Sequence, residues 1–134
     1  MQAGTSQLLI IDADSSFRKS LLKTIRGAGY DVVAACDEAE AIQRIEHAVF
    51  PLIVSDLWLA GRTALHLVQK VRESSCSSQI IVITPYEADE FCAELRTFAV
   101  FECLRKPVKR RVLLDVVARA LASPKNSGAA EVLA

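Results

Sequence analysis

The chain predicts an α/β fold, a five-stranded parallel sheet wound in both directions with helices on both faces. Three apolar runs carry that expectation: Leu8-Leu9-Ile10-Ile11, Leu52-Ile53-Val54 and Ile80-Ile81-Val82-Ile83. Each has strand length and no polar alternation, the pattern of a strand covered on both faces. Between them lie segments whose apolar residues recur at helical spacing, and strands alternating with helices imply right-handed crossovers in one parallel sheet.

Taken in order, the first strand ends at Asp12, and Ser15 or Ser16 is placed to cap a helix burying Phe17, Leu21, Leu22 and Ile25, with Gly27 and Gly29 stopping it. Tyr30 to Ala35 is the second strand. Asp37 with Glu40 three residues later signs the start of a helix carrying Ala41, Ile42 and Ile45. After Pro51 the third strand runs to Asp56. A helix from about Thr63 to Glu73 buries Leu65, Val68 and Val71, and Ser74 to Gln79 is a loop. The fourth strand ends at Thr84, a helix from about Glu87 to Phe98 turns Phe91, Leu95 and Phe98 inward, and a fifth strand covers Phe101 to Leu104. Lys106-Pro107 closes it. A last helix, about Val108 to Ala122, repeats Val112, Leu113, Val116, Val117, Ala120 and Leu121 at helical spacing.

A chain of 134 residues fits one domain, here residues 5–122, with 123–134 read as a flexible tail or the start of an interdomain linker. Lysine plus arginine equals aspartate plus glutamate at 16 each, so no global field draws the domain to nucleic acid or an anionic membrane. No run of 18 apolar residues occurs, and Met1 to Gln7 lacks an apolar signal core, so a cytoplasmic location is expected. Cys36, Cys76, Cys92 and Cys103 form no C-x-x-C pair and have no histidine at zinc spacing; they read as reduced, mostly buried small hydrophobes. His47 and His66 have no metal-spaced companions, and Arg105, Lys109, Arg110 and Arg111 read as a solvated face.

The chemistry lies at the strand ends. In an open parallel sheet, ligands bind in the crevice outside the carboxyl ends of the strands. The residues delivered there are Asp12, Asp56, Thr84 and Lys106: two acids, a hydroxyl and an ammonium. Singly each has a dull explanation, as a helix-start residue, turn cap, strand residue or surface charge. Together they suit phosphoryl transfer to a carboxylate, with Asp56 as nucleophile, an acidic neighbour helping to hold a divalent cation, and Lys106 and Thr84 contacting phosphoryl oxygens.

With Leu-Leu-Ile-Ile-Asp12, Leu-Ile-Val-Ser-Asp56-Leu, Ile-Val-Ile-Thr84 and Leu-Arg-Lys106-Pro107 in this order and spacing, the chain resembles the receiver domain of two-component response regulators over about residues 5 to 122. The resemblance implies the flavodoxin-like receiver fold and a phosphoacceptor signalling domain rather than an enzyme. It implies that Asp56 takes a phosphoryl group from a histidine kinase or phosphotransfer protein, that Thr84 and Lys106 read it, and that the Lys106-Pro107 bond is cis. It further implies Mg²⁺ held by Asp12, Asp56 and the Trp58 backbone carbonyl, with Asp14 as a further candidate ligand. A downstream protein or output domain, or a second copy in a homodimer, would meet the face of the fourth helix, fifth strand and fifth helix.

The chain departs from that pattern at several points. Ala13 stands where the family places a second acid that ligates the metal, so weakened Mg²⁺ binding is expected. Ala60 and Ala64 replace a proline and a glycine, and Cys103 occupies the place of the switch aromatic. Pro85, after Thr84, stiffens a loop that moves in the family. These changes keep a second reading open, a pseudo-receiver that works as a protein-interaction module without phosphorylation. A third is a haloacid-dehalogenase-like phosphatase opening on Asp12-Ala13-Asp14, although beyond Lys106 only Asp115 and Glu131 are acidic.

Overall fold

In the computed structural model, which describes residues 7–59, 62–74, 77–85 and 89–123, the apolar runs pair as parallel strands. In chain order the strands are β1 (Leu8–Ile11), β2 (Val32–Ala35), β3 (Leu52–Asp56), β4 (Trp58–Leu59), β5 (Arg62–Thr63), β6 (Gln79–Thr84) and β7 (Glu102–Arg105). The helices are α1 (Ser15–Gly27), α2 (Glu38–His47), α3 (Leu65–Ser74), α4 (Asp89–Arg96) and α5 (Arg110–Ala122). The main sheet has the order β2-β1-β3-β6-β7, all neighbours parallel.

Because successive side chains of a strand point to opposite faces, each apolar run feeds two cores. Leu8, Ile10, Leu52, Val54, Ile81 and Ile83 meet Leu21 and Ile25 of α1 and Leu113, Val116 and Val117 of α5. Leu9, Ile11, Ile53, Ile80 and Val82 meet Ala41 of α2, Leu67, Val68 and Val71 of α3, and Leu95 of α4. Strands with helices on both sides need no polar face, which is why these runs show no alternation.

Several local expectations are corrected. The cap of α1 is Asp14, whose Oδ1 accepts from the N–H groups of Ser16 and Phe17, rather than Ser15 or Ser16. A carboxylate on the last extended residue reaches those N–H groups and suits the positive helix end. Gly27 ends α1 and Gly29 follows at φ 98°, a conformation glycine adopts without steric penalty. Where a helix from Thr63 was expected, Trp58–Leu59 and Arg62–Thr63 pair antiparallel and α3 begins at Leu65, with Leu65 half-buried and Leu67 in the core. Val112 is 43% exposed although its spacing matched the apolar stripe of α5. The second and fifth strands are shorter or shifted, at Val32–Ala35 and Glu102–Arg105, and α5 starts two residues later than expected, at Arg110. Helix α4 ends at Arg96 instead of reaching Phe98, its last carbonyls taken up by Thr97, Phe98 and Ala99 N–H groups. Cys36 is exposed, against the expectation of burial; Cys92 is buried and Cys103 half-buried, all three free. Ala60, Gly61, Cys76, Tyr86, Glu87 and the 124–134 tail lie outside the described residues.

Candidate functional site

Strand register brings the four predicted residues to one edge. Ile11 pairs with Ser55, so Asp12 and Asp56 leave neighbouring strands at the same level. Asp56 in turn pairs with Ile83, and Thr84 with Arg105, which places Thr84 and Lys106 one residue further along the adjoining strands. Lys106 Nζ lies 3.6 Å from Asp56 Oδ1. The Lys106-Pro107 peptide bond is cis, as the resemblance implied.

Asp12 is fully buried. Its Oδ1 accepts the Asp14 N–H at 2.9 Å, whereas Oδ2 is buried with no hydrogen-bond partner. Burial, opposed by that N–H and by Lys106 and reinforced by the Asp56 charge, holds its carboxyl above the ordinary carboxylate range. Asp56 is also raised, first by burial, against the pull of Lys106 and the Leu57 N–H, which Oδ1 accepts at 2.9 Å. Two carboxylates and one ammonium in a half-dry crevice form a site short of positive charge. A buried, unbonded Asp12 Oδ2 beside Asp56 is the donor set a hard cation fits.

Among the other candidate ligands, Asp14 is exposed and its Oδ1 serves the α1 cap. Trp58 pairs with Thr63, and the adjoining bond from Ala64 N to Leu57 O makes that a non-hydrogen-bonded pair, so the hairpin leaves the Trp58 carbonyl unused. The Trp58 ring is 45% exposed and sits edge-on to Phe91 of α4, centroids 5.3 Å apart. Thr84 is buried and its hydroxyl donates to the Leu104 carbonyl over a long 3.4 Å. Ala13 is exposed and offers no ligand atom.

Sequence reading missed residues that support these four. Phe17 packs on the apolar face of its helix as expected, and its ring in addition lies under Lys106, with Nζ 4.3 Å from the centroid. Arg18 Nη1 donates to the Asp12 carbonyl at 2.7 Å, and buried Ser55 donates its hydroxyl to the Asp56 carbonyl at 2.8 Å. An aromatic and an arginine in the turn after a strand-end acid were the signal available. Cys103 faces the Cys92 thiol of α4; burial, then that hydrogen bond, pushes its thiol up to about 12. Cys36, Asp37 and Glu40 cluster within 4.8 Å, but Asp37 accepts the Glu40 N–H and Glu40 accepts the Cys36 N–H, a variant of the reciprocal capping arrangement rather than a vacant metal site.

A family model of the response regulator receiver domain matches residues 8–118. The transcriptional regulatory protein ZraR of Salmonella typhimurium is 25% identical over 129 residues, covering 96% of this chain and 29% of its own length. The C4-dicarboxylate transport transcriptional regulatory protein DctD of Pseudomonas aeruginosa is 29% identical over 117 residues, covering 87% of this chain and 25% of its own length. The chain therefore spans about a quarter to three-tenths of these relatives. Among solved structures, a CheY-like receiver domain protein from Methanospirillum hungatei JF-1 superposes with a TM-score of 0.85 at 24% identity, covering 92% of this chain and 98% of its own. The chemotaxis response regulator CheY4 of Vibrio cholerae gives 0.78 at 27% identity, covering 86% and 98%.

Proposed function

Because the chain belongs to the response regulator receiver domain family, we propose that it relays a signal by accepting a phosphoryl group on Asp56 from a histidine kinase or phosphotransfer protein. The observation that carries this reading is the pairing of a strand-end carboxylate with Lys106 Nζ at 3.6 Å, beside the buried, unbonded Oδ2 of Asp12. The Asp56 carboxylate, held by the Leu57 and Trp58 N–H groups and facing Lys106 through Oδ1, supplies the oxygen that attacks phosphorus. As the new P–O bond forms, the P–N bond of a phosphohistidine donor breaks and its electron pair leaves with the imidazole. The protein does little proton chemistry in such a transfer; it positions and neutralises charge. Lys106 meets the phosphoryl oxygens, and the weakly engaged Thr84 hydroxyl is free to turn toward them.

Asp12, Asp56 and the Trp58 carbonyl are the groups that would hold Mg²⁺, with Asp14, whose Oδ1 serves the α1 cap, as a further candidate. When bound, the ion supplies the positive charge that lets two carboxylates and a phosphoryl group share one crevice. A phosphoryl group adds about −1.5 to −2 charge, and the face of α4, β7 and α5 is the surface proposed to respond. Its partner would be a downstream protein or output domain, a transcription-regulating one by analogy with ZraR and DctD, or a second copy of the chain. We assign the domain no direct nucleic-acid contact and place it in the cytoplasm with its kinase; among the described residues no helix is long and apolar enough to cross a membrane.

Ala13 and Cys103 favour a second reading, a pseudo-receiver that signals by binding alone. The phosphatase reading, with Asp12 as nucleophile, meets an Asp12 with 0% exposure against 13% for the Asp56 side chain. Intact-mass spectrometry after incubation with acetyl phosphate, with and without Mg²⁺, separates the three. The expected result is one Mg²⁺-dependent phosphoryl adduct, lost completely in a folded Asp56→Asn variant. An adduct that survives in that variant removes the role from Asp56, and none on folded wild type leaves the pseudo-receiver.

A further inference from the structure

Lysine is a compact charge on a flexible four-carbon stem, and holding it in one rotamer costs conformational entropy. Lys106 follows the last residue of β7 on a bend and keeps 31% of its side chain exposed, so strand geometry alone does not fix the ammonium. Its separation from Asp56 Oδ1, 3.6 Å, exceeds hydrogen-bond length, so the carboxylate attracts it without orienting it. A second contact does orient it. The face of Phe17 lies 4.3 Å from Nζ, inside the range where a ring quadrupole attracts a cation.

We propose that Phe17 is a positioning residue, its ring presetting the Lys106 ammonium beside Asp56 for the incoming phosphoryl oxygens. The ring is itself fixed from below. Phe17 stands in the first turn of α1, where its N–H is one of the two bound by Asp14 Oδ1, and its side chain packs against the core that α1 and α5 share, which holds the ring in place. Leu21 and Ile25, further along the same helix, anchor α1 in the core shared with α5. The path runs from the Asp14 cap through Phe17 to Lys106 and on to Asp56. Asp14, an acid offered by the sequence as a metal ligand, thus acts on the pocket through the helix that carries Phe17. When the phosphoryl group arrives, Lys106 keeps the ring behind it while its N–H groups turn to the new oxygens, so the contact also persists in the product.

This inference rests on the phosphoacceptor reading of Asp56, and its test separates the two. In a proton–carbon correlation spectrum the Lys106 ε-methylene, identified by its loss in Lys106→Met, is expected upfield of the other lysines through the ring current of Phe17. Phe17→Leu, which keeps an apolar side chain but removes the ring, abolishes that shift and slows adduct formation from acetyl phosphate and Mg²⁺ by about 2- to 5-fold, the size of a partly exposed cation–π contact. Phe17→Tyr restores both. An unshifted Lys106 in wild type, a shift lost without a change in rate, or a Tyr variant as slow as the Leu variant each overturns the proposal. Should the Leu variant not fold, Phe17→Met serves in its place. Wild type that shows the shift but gains no phosphoryl group overturns the reading of Asp56 and this inference with it, whereas failure of the inference alone leaves the wild-type adduct in place.

Discussion

Ala13 sits beside Asp12 in the turn leaving β1 and brings only a methyl group next to a pocket in which Asp12 Oδ2 is a buried acceptor without a hydrogen-bond partner. Affinity for hard divalent cations follows the number of charged oxygen ligands. Ala13→Asp is therefore expected to tighten Mg²⁺ binding by about tenfold. Trp58, the only tryptophan and two residues from Asp56, reports the titration by fluorescence. An unchanged or weaker affinity would mean that position 13 does not face the pocket. Asp14 spends Oδ1 on two backbone N–H groups at the helix start and is exposed, so neighbouring carboxylates in one turn have unequal chemistry: Asp12 in the pocket, Asp14 on the helix end.

Among the elements, the turn after α4 is tied to α3 by the Arg72 side chain. Arg72 donates from Nε to the Phe98 carbonyl at 2.8 Å, from Nη1 to Ser78 at 2.8 Å and from Nη2 to Ala99 at 3.1 Å. Ala99 has φ 63°, a left-handed conformation unusual for a residue with a Cβ. The planar guanidinium gathers carbonyls from this turn and from the approach to β6, binding the end of α4 to α3. Arg72→Met should lower stability by about 2–3 kcal/mol, since hydrogen bonds to a charged group are each worth roughly 1.5–3 kcal/mol and water replaces part of the loss. Arg72→Lys should not rescue it, because an ammonium lacks the fork that spans several acceptors. Urea unfolding midpoints measure both; a methionine variant as stable as wild type would remove Arg72 from this role.

For the whole molecule, the pocket opposes the fold at neutral pH. Burial raises the Asp12 carboxyl in the folded state, so across the window between its unfolded and folded values the native chain binds more protons than the unfolded one. Stability then falls as pH rises through that window and is regained as pH drops toward the unfolded value near 4. Asp56 is shifted in the same direction and adds to the trend. Asp12→Asn removes the buried charge while keeping an acceptor for the Asp14 N–H. In chelator, its melting temperature at pH 7.5 is expected to exceed wild type by about 3–6 °C, corresponding to roughly 1 kcal/mol for a domain of this size. The two proteins should converge near pH 4. Melts followed by circular dichroism decide this, and equal stability at pH 7.5 would contradict the cause assigned to the shift.

The sequence by itself determined the parallel sheet, because strands such as Ile80-Ile81-Val82-Ile83 bury both faces and must read as unbroken apolar runs, and it determined that Asp12, Asp56, Thr84 and Lys106 stand at one edge, because parallel strands end together. It left undecided everything that depends on which elements touch. Val112 satisfies the helical period yet lies outside the contact made by Leu113, Val116 and Val117, since the width of a buried stripe is set by the neighbouring helix and sheet. Ser15, Ser16 and Asp14 compete for one cap, and the backbone angles at Asp14 chose it. Phe17 beside Lys106 and Arg72 against Phe98 join residues remote in the chain, and only the packing of α1 near the end of β7 and of α3 against the turn after α4 brings them together. Periodicity records whether a side chain is buried; its partner is a property of the assembled layers.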